Sequence, residues 1–272
     1  MTTVANDTSS PTDRHPRPGR PLLLAAGLLL LAVLVGAVVW VLVTVALPGR
    51  RDFSYRADLP PATQLRIDTA SAAFTLAPSP DSGIHISAHG SYTDIEPTIH
   101  TTTGGDTATI TGTCAHPGLF RRCDLQIQLL LPTELPVTAD VGNGQLTARD
   151  LSGPLNLTTG NGIIQAVTTT GTLSLHTSNG TIRLTDSRSA HVTSDTTNGA
   201  MNLAFAVPPV TLAAHSTNGA VDITVPGTNA YFITATTTNG SKHIDLPTDR
   251  SAPDSITATT TNGAIHINPT SP

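Results

Sequence analysis

The chain predicts an all-β repeat domain joined to one N-terminal transmembrane helix. The repeat reads as a β-solenoid of two short strands per coil of about 20 residues, like a parallel β-helix. Three observations carry this. Asn-Gly recurs seven times at a narrow period, apolar and polar residues alternate on both sides of each, and Leu22 to Leu47 holds no charge.

Residues 1–20, with Pro11, Pro16, Pro18, Arg14, Arg17 and Arg20, read as a short disordered cytoplasmic tail. Residues 21–47 follow as the membrane helix. The 26 residues from Leu22 to Leu47 would rise about 39 Å at ~1.5 Å each, more than a hydrocarbon core of ~30 Å requires. A cleaved signal peptide ending near Thr44-Val45-Ala46 is the alternative, but its apolar region would be only about 7–15 residues. Residues 48–61 read as a linker, and 62–268 as the β-repeat domain.

Positive charge does not orient the helix, because three Arg precede it and Arg50, Arg51 and Arg56 follow it closely. The domain is more informative. Residues 52–272 carry nine basic and 17 acidic side chains. The two cysteines, Cys114 and Cys123, flank the turn-rich His116-Pro117-Gly118, a spacing that could close a small disulfide loop. Two free buried thiols are the alternative. An oxidising compartment favours the bond, so the expected arrangement is a plasma-membrane, single-pass protein with its N-terminus cytoplasmic and its repeat domain extracytoplasmic.

The repeats are Asn143-Gly144, Asn161-Gly162, Asn179-Gly180, Asn198-Gly199, Asn218-Gly219, Asn239-Gly240 and Asn262-Gly263, spaced 18, 18, 19, 20, 21 and 23 residues apart. Six residues before each Asn stand Val137, Leu155, Leu173, Val192, Leu212, Ile233 and Ile256. Five after it stand Ala148, Ala166, Leu184, Leu203, Ile223, Ile244 and Ile267. Period-two alternation on both flanks predicts two half-buried strands per repeat. Lys242 breaks the apolar row once, and its charged head is expected at an edge. Asn and Gly both tolerate positive φ, so each pair is expected to turn a tight corner. The same facts allow an antiparallel β-hairpin meander with type I′ turns. The solenoid is preferred because it places all seven Asn in one ladder. Residues 60–135 carry the design in worn form, with Ser71-Ala72 in place of Asn-Gly, and are expected to cap the stack.

Three elements carry a family resemblance: Asp68-Thr69-Ala70-Ser71, the segment Leu129 to Val137, and the Thr/Ser-Asn-Gly-x-Ile/Val signature. In these the chain resembles the bacterial membrane-anchored candidate-adhesin family of β-strand repeats. The resemblance covers about residues 60–268 and implies a β-solenoid-like fold akin to adhesin heads, with no assigned biochemical activity. Some members sit near envelope-stress genes.

Little in the sequence points to chemistry. Glu96 and Glu134 are the only glutamates, and no motif marks out a Ser/His/Asp set or an acid pair. None of the Gly-rich turns has the lysine of a phosphate loop. An acidic domain disfavours nucleic acid. Among the ten histidines, His243 and His266 share an outward position with Asp222, and His176 and His215 share another with Asp195. Shared-metal sites could arise there, but solvated outward rows are the commoner outcome. No catalytic residue, cofactor or metal is therefore expected.

The expected function is a non-catalytic binding or scaffold module of the cell envelope, integral to the membrane, with an envelope protein or glycan as partner. The alternative is an accessory sensor of envelope stress acting through its helix. About ten coils at ~4.8 Å each would reach only ~50 Å, too short for contact with another cell across a thick wall.

Overall fold

The computed structural model describes residues 20–46, 49–93, 95–114 and 123–270. Of the tail expected over residues 1–20, residues 1–19 lie outside them, as does the His116-Pro117-Gly118 turn, while Arg20 begins a helix. The chain divides into two units, Met1–Pro48 and Gly49–Pro272.

The first unit holds α1, a 27-residue helix over Arg20–Ala46. Its described side chains, residues 26–41, are all exposed. Among the described residues no helix is long and apolar enough to cross a membrane. The spanning role expected of residues 21–47 rests on the sequence.

The second unit is built from strands alone among its described residues. It begins with β1 (Arg51–Leu59), β2 (Gln64–Ser71), β3 (Ala73–Pro78), β4 (Ile84–Tyr92), β5 (Thr98–Gly104), β6 (Thr107–Thr113) and β7 (Cys123–Leu131). Each Asn-Gly then separates a longer strand from a shorter one. These pairs start with β8 (Val137–Asn143) and β9 (Leu146–Arg149), β10 (Leu155–Asn161) and β11 (Ile164–Val167), and β12 (Leu173–Asn179) and β13 (Ile182–Ser187). They continue with β14 (His191–Asn198) and β15 (Met201–Phe205), and β16 (Thr211–Asn218) and β17 (Val221–Val225). Last in sequence come β18 (Phe232–Asn239) and β19 (Lys242–Ile244), then β20 (Ser255–Asn262) and β21 (Ile265–Pro269).

The longer strands form one sheet, in the order β18-β20-β16-β14-β12-β10-β8-β2-β6-β5. The shorter strand of each pair lies in a second sheet, which nine-residue β1, β4 and β7 extend, ordered β1-β4-β7-β3-β9-β11-β13-β15-β17-β21-β19. Every strand from β8 onward pairs in parallel with its equivalent one coil away, Asn161 opposite both Asn143 and Asn179. Parallel register excludes the hairpin meander and establishes the solenoid. The lengthening from 18 to 23 residues is absorbed in connections, since the longer-strand sheet keeps its register from β8 through β18.

The two sheets bury their facing rows against each other. Leu155, Leu157, Leu173, Leu175, Ile164, Ile182 and Leu184 are all within 2% of full burial. Each such side chain contributes about 1.5–3 kcal/mol of hydrophobic stabilisation. A third inward row lies two residues before each Asn and, after Val141, is polar: Thr159, Thr177, Thr196, Ser216 and Thr260 are buried. Several donate a hydroxyl hydrogen bond to the corner carbonyl of a neighbouring coil, as Thr260 does to Gly219 O at 3.1 Å and Thr237 to Gly263 O at 2.9 Å.

Positive φ, the reason expected for the corner, is found at Gly144 and Gly199 (φ 150° and 157°), but a second reason applies at all seven corners. No Asn of the seven has positive φ. What the glycines supply is the missing Cβ. A Cβ on Gly180 would collide with the carbonyl of Gly162, and one on Gly162 with that of Gly144, because the corners stack backbone on backbone. Left-handed residues instead turn the opposite corner, at Asp150, Thr168 and Asp186 (φ 52°, 53° and 50°), each seven residues after an Asn. Sequence alternation did not single these out.

Order in space departs from order in sequence at both ends. The last coil, β20–β21, lies between β16–β17 and β18–β19, so the chain turns back and inserts its final coil into the stack. At the other end, the worn coil β2–β3 is internal rather than a cap: Ser71 sits opposite Asn143 and Phe74 opposite Leu146. Within residues 60–135 the capping role falls to β4 and β5, which with β1 end the stack and join antiparallel. The expected linker 48–61 needs the same correction. Most of it is β1, an edge strand whose Phe53, Tyr55 and Leu59 rest on the core. Alternation in Phe-Ser-Tyr-Arg-Ala-Asp-Leu signalled this strand. Cys114 and Cys123 are joined in a disulfide. Lys242 lies exposed on the edge strand β19, its Nζ donating to Ala235 O at 3.2 Å.

Replacing Gly180 with Ala is expected to lower unfolding stability by about 1–3 kcal/mol, the range for inserting an atom where none fits. Gly49→Ala, with open space around it, is expected to change little. Equal denaturation midpoints for the two variants would contradict the stacked-corner account.

Candidate binding surface

Alternation that sends apolar residues inward sends Thr, Asn, His, Asp and Arg outward, and parallel stacking lines them into rows. On the shorter-strand sheet one row runs Gln165, Arg183, Asn202, Asp222, His266 and His243 across neighbouring strands. His266 Nδ1 donates to Asp222 Oδ1 at 2.8 Å, and His243 Nε2 to Asp245 Oδ2 at 3.0 Å. The two imidazole rings stand edge to face, 6.5 Å apart. On the longer-strand sheet His176, Asp195 and His215 are direct neighbours, as their spacing suggested. The His266–Asp222 and His243–Asp245 pairs satisfy themselves, and among the described residues no group of three or more His, Cys, Asp or Glu could hold a metal ion.

The Asn residues form the most regular of these rows. Each Nδ2 donates to the Oδ1 of the adjacent coil at 2.7–2.9 Å, in the order Asn143, Asn161, Asn179, Asn198, Asn218, Asn262, Asn239. Asn143 closes the row on Ala70 O at 3.3 Å. All seven Asn are exposed, yet their amide groups are mostly spent on one another. The Asn-Gly pairs therefore hold the coils in register rather than forming a ligand pocket.

A cluster that the sequence reading missed sits at the antiparallel end. His85 on β4 donates from Nδ1 to Asp58 Oδ1 at 2.6 Å and from Nε2 to Asp81 Oδ1 at 2.8 Å. Asp58 belongs to β1, which read as linker, so its carboxylate had no strand to occupy. Ile84-His85-Ile86 did signal that His85 points outward. Two carboxylate acceptors require both ring nitrogens to carry protons, so the Asp81 and Asp58 hydrogen bonds raise the pKa of His85 above 6.5. Asp81 is held well below the usual carboxylate range, first by His85, then by the Ser79 hydroxyl and the Gly83 amide. An open groove beside the cluster is lined by Arg56, Asp58, His85, Ser87, Gln128 and Leu130. At the far end of the stack Tyr231 is buried, its hydroxyl donating to Pro226 O at 2.9 Å, and burial pushes its phenol up to about 12.

The surface can therefore offer hydrogen bonds and weak, mixed charge over broad faces. The Toastrack DUF4097 family profile matches residues 62–268. No curated protein sequence matches the chain. Among solved structures, a candidate cell adhesion protein from Clostridium sporogenes is 13% identical, covering 81% of this chain and all of its own, with a TM-score of 0.39. Candidate adhesins from Parabacteroides distasonis and Bacteroides fragilis are 10% and 13% identical, with TM-scores of 0.40 and 0.36. They cover 79% and 82% of this chain, and 97% and 99% of their own.

The His85 clamp carries a signed pH dependence. Because its folded pKa is raised, the His85 contribution is complete below pH 6.5 and is lost as pH rises through the folded value. The Asp81 contribution has the opposite sign, present above 3.8 and lost as pH falls through its lowered value. NMR titration should place the His85 midpoint above 6.5, and Asp58→Asn should lower it. A midpoint unchanged by that substitution would remove Asp58 from the clamp.

Proposed function

The chain belongs to the Toastrack DUF4097 family, and from that premise we propose that it is a non-catalytic binding or scaffold module of the bacterial cell envelope. In this reading residues 21–47 span the plasma membrane, the N-terminus is cytoplasmic, and the β-domain presents its outer faces to an envelope protein or glycan. One observation carries the reading: two long sheets with continuous polar outer rows, on one of which His266 and His243 are paired with Asp222 and Asp245. Broad flat faces recognise extended partners by many weak contacts rather than by enclosure. The uncharged run from Leu22 to Leu47 supports the anchor. The disulfide supports an oxidising compartment for the domain.

A second reading, an accessory sensor of envelope stress, has one specific observation in its favour. The Asp58–His85 contact ties down β1, the first strand after α1 in sequence, and it depends on a titrating histidine.

Protease treatment of intact cells expressing the chain with a tag at each end tests the arrangement. The C-terminal tag is expected to be lost and the N-terminal tag retained. Loss of the N-terminal tag alone would reverse the orientation and remove the envelope reading.

A further inference from the structure

Asn-Gly is the dipeptide most prone to succinimide formation, because glycine has no side chain to obstruct attack by its own amide nitrogen. Seven copies on the surface of one domain raise the question of what protects them. Exposure of the Asn does not distinguish them, since all seven are exposed. The glycine amide does. Gly144, Gly162, Gly180, Gly199, Gly219 and Gly263 each donate their N–H to the Asn carbonyl of an adjacent coil, at 2.9–3.1 Å. The nucleophile is thus committed to a hydrogen bond between coils, and the Asn side chain is clamped in the amide row on both sides.

The inserted final coil decides which pair lacks this protection. Because β20–β21 lies inside the stack, the free edge belongs to β18–β19 and its corner is Asn239-Gly240. Among the described residues the Gly240 N–H has no acceptor. Gly240 is exposed, where the other six corner glycines are half-buried. Asn239 donates to Asn262 Oδ1 at 2.8 Å, but as the last member of the row its own Oδ1 receives no amide.

We propose that Asn239-Gly240 is a spontaneous modification site, the one corner of the seven that deamidates in the folded protein. The Gly240 nitrogen attacks Asn239 Cγ, forming the N–Cγ bond of a succinimide. The Cγ–Nδ2 bond breaks, and Nδ2 leaves as ammonia with the proton released by the Gly240 amide. Water then opens the ring at one of its two carbonyls, giving aspartate or isoaspartate. No oxidant or reductant takes part. Either product loses the Nδ2 donor to Asn262 and places a carboxylate against its carbonyl oxygen. The isoaspartate also lengthens the backbone at the corner. The modification therefore loosens β18 from β20 and adds negative charge at the exposed end of the stack, altering with age the surface offered there.

Peptide mapping by mass spectrometry after incubation at mildly alkaline pH tests this. In the folded protein the Asn239 peptide should convert at least about tenfold faster than any of the other six, the factor set by ~1.4 kcal/mol of local opening. In denaturant all seven should convert at comparable rates, and β18 amides of the modified fraction should exchange faster. Conversion of an interior Asn as fast as Asn239, or an Asn239 no faster folded than its six counterparts, would overturn the proposal.

Discussion

Backbone-on-backbone stacking at the Asn-Gly corner is the constraint on which the rest of the structure depends. A side chain at the glycine would meet the carbonyl of the coil beside it, so only glycine lets the coils approach to strand-pairing distance there. Once they do, the Asn side chains fall into a single hydrogen-bonded row. Two residues earlier, Thr159, Ser216, Thr237 and Thr260 turn inward to bond the corner carbonyl of the neighbouring coil. Registers of both sheets, and hence every inward and outward row, follow from that alignment.

Much of this was legible in the sequence. Alternation around Asn161 and Asn179 gave the strands and their inward faces, and the fixed offset of Leu155, Leu173 and Val192 gave the register. Other features were written in residues whose chemistry misleads. Thr159, Thr177 and Thr196 look solvent-facing yet are buried. Thr159 bonds the Gly144 carbonyl at 3.4 Å, while the Thr177 and Thr196 hydroxyls are enclosed without a hydrogen-bond partner among the described residues, which no polarity pattern foretells. Arg51–Leu59 looked like a linker because it stands before the Asn-Gly repeats and pairs antiparallel, outside their pattern. The left-handed Asp150, Thr168 and Asp186 left only a weak signal, since Asp and Thr are common in any loop.

Coil order was the least legible feature. Successive repeats are nearly interchangeable in pattern, so alternation cannot say whether Ile256 lies beside Leu212 or beside Ile233. It lies beside both. Closing the stack by insertion leaves β18 and β19 as edges, and these carry Lys242 and a Thr-rich outer row, features that discourage further strand addition. At the opposite end, antiparallel β1, β4 and β5 end the parallel stack. The domain is thereby bounded at one end by antiparallel strands unlike the repeat and at the other by a repeat coil with a charged, Thr-rich edge.

Cysteine pairs in neighbouring outward positions test the coil order most directly. His215 and Thr259 are direct strand neighbours, as are Thr259 and Thr236, whereas His215 and Thr236 are separated by β20. Strand-neighbour Cα atoms lie about 4.8 Å apart, within reach of a disulfide, and twice that distance is beyond it. The account predicts that His215→Cys with Thr259→Cys crosslinks under mild oxidation and that His215→Cys with Thr236→Cys does not. The reverse result would mean that the coils stack in sequence order, and the inserted final coil would have to be abandoned.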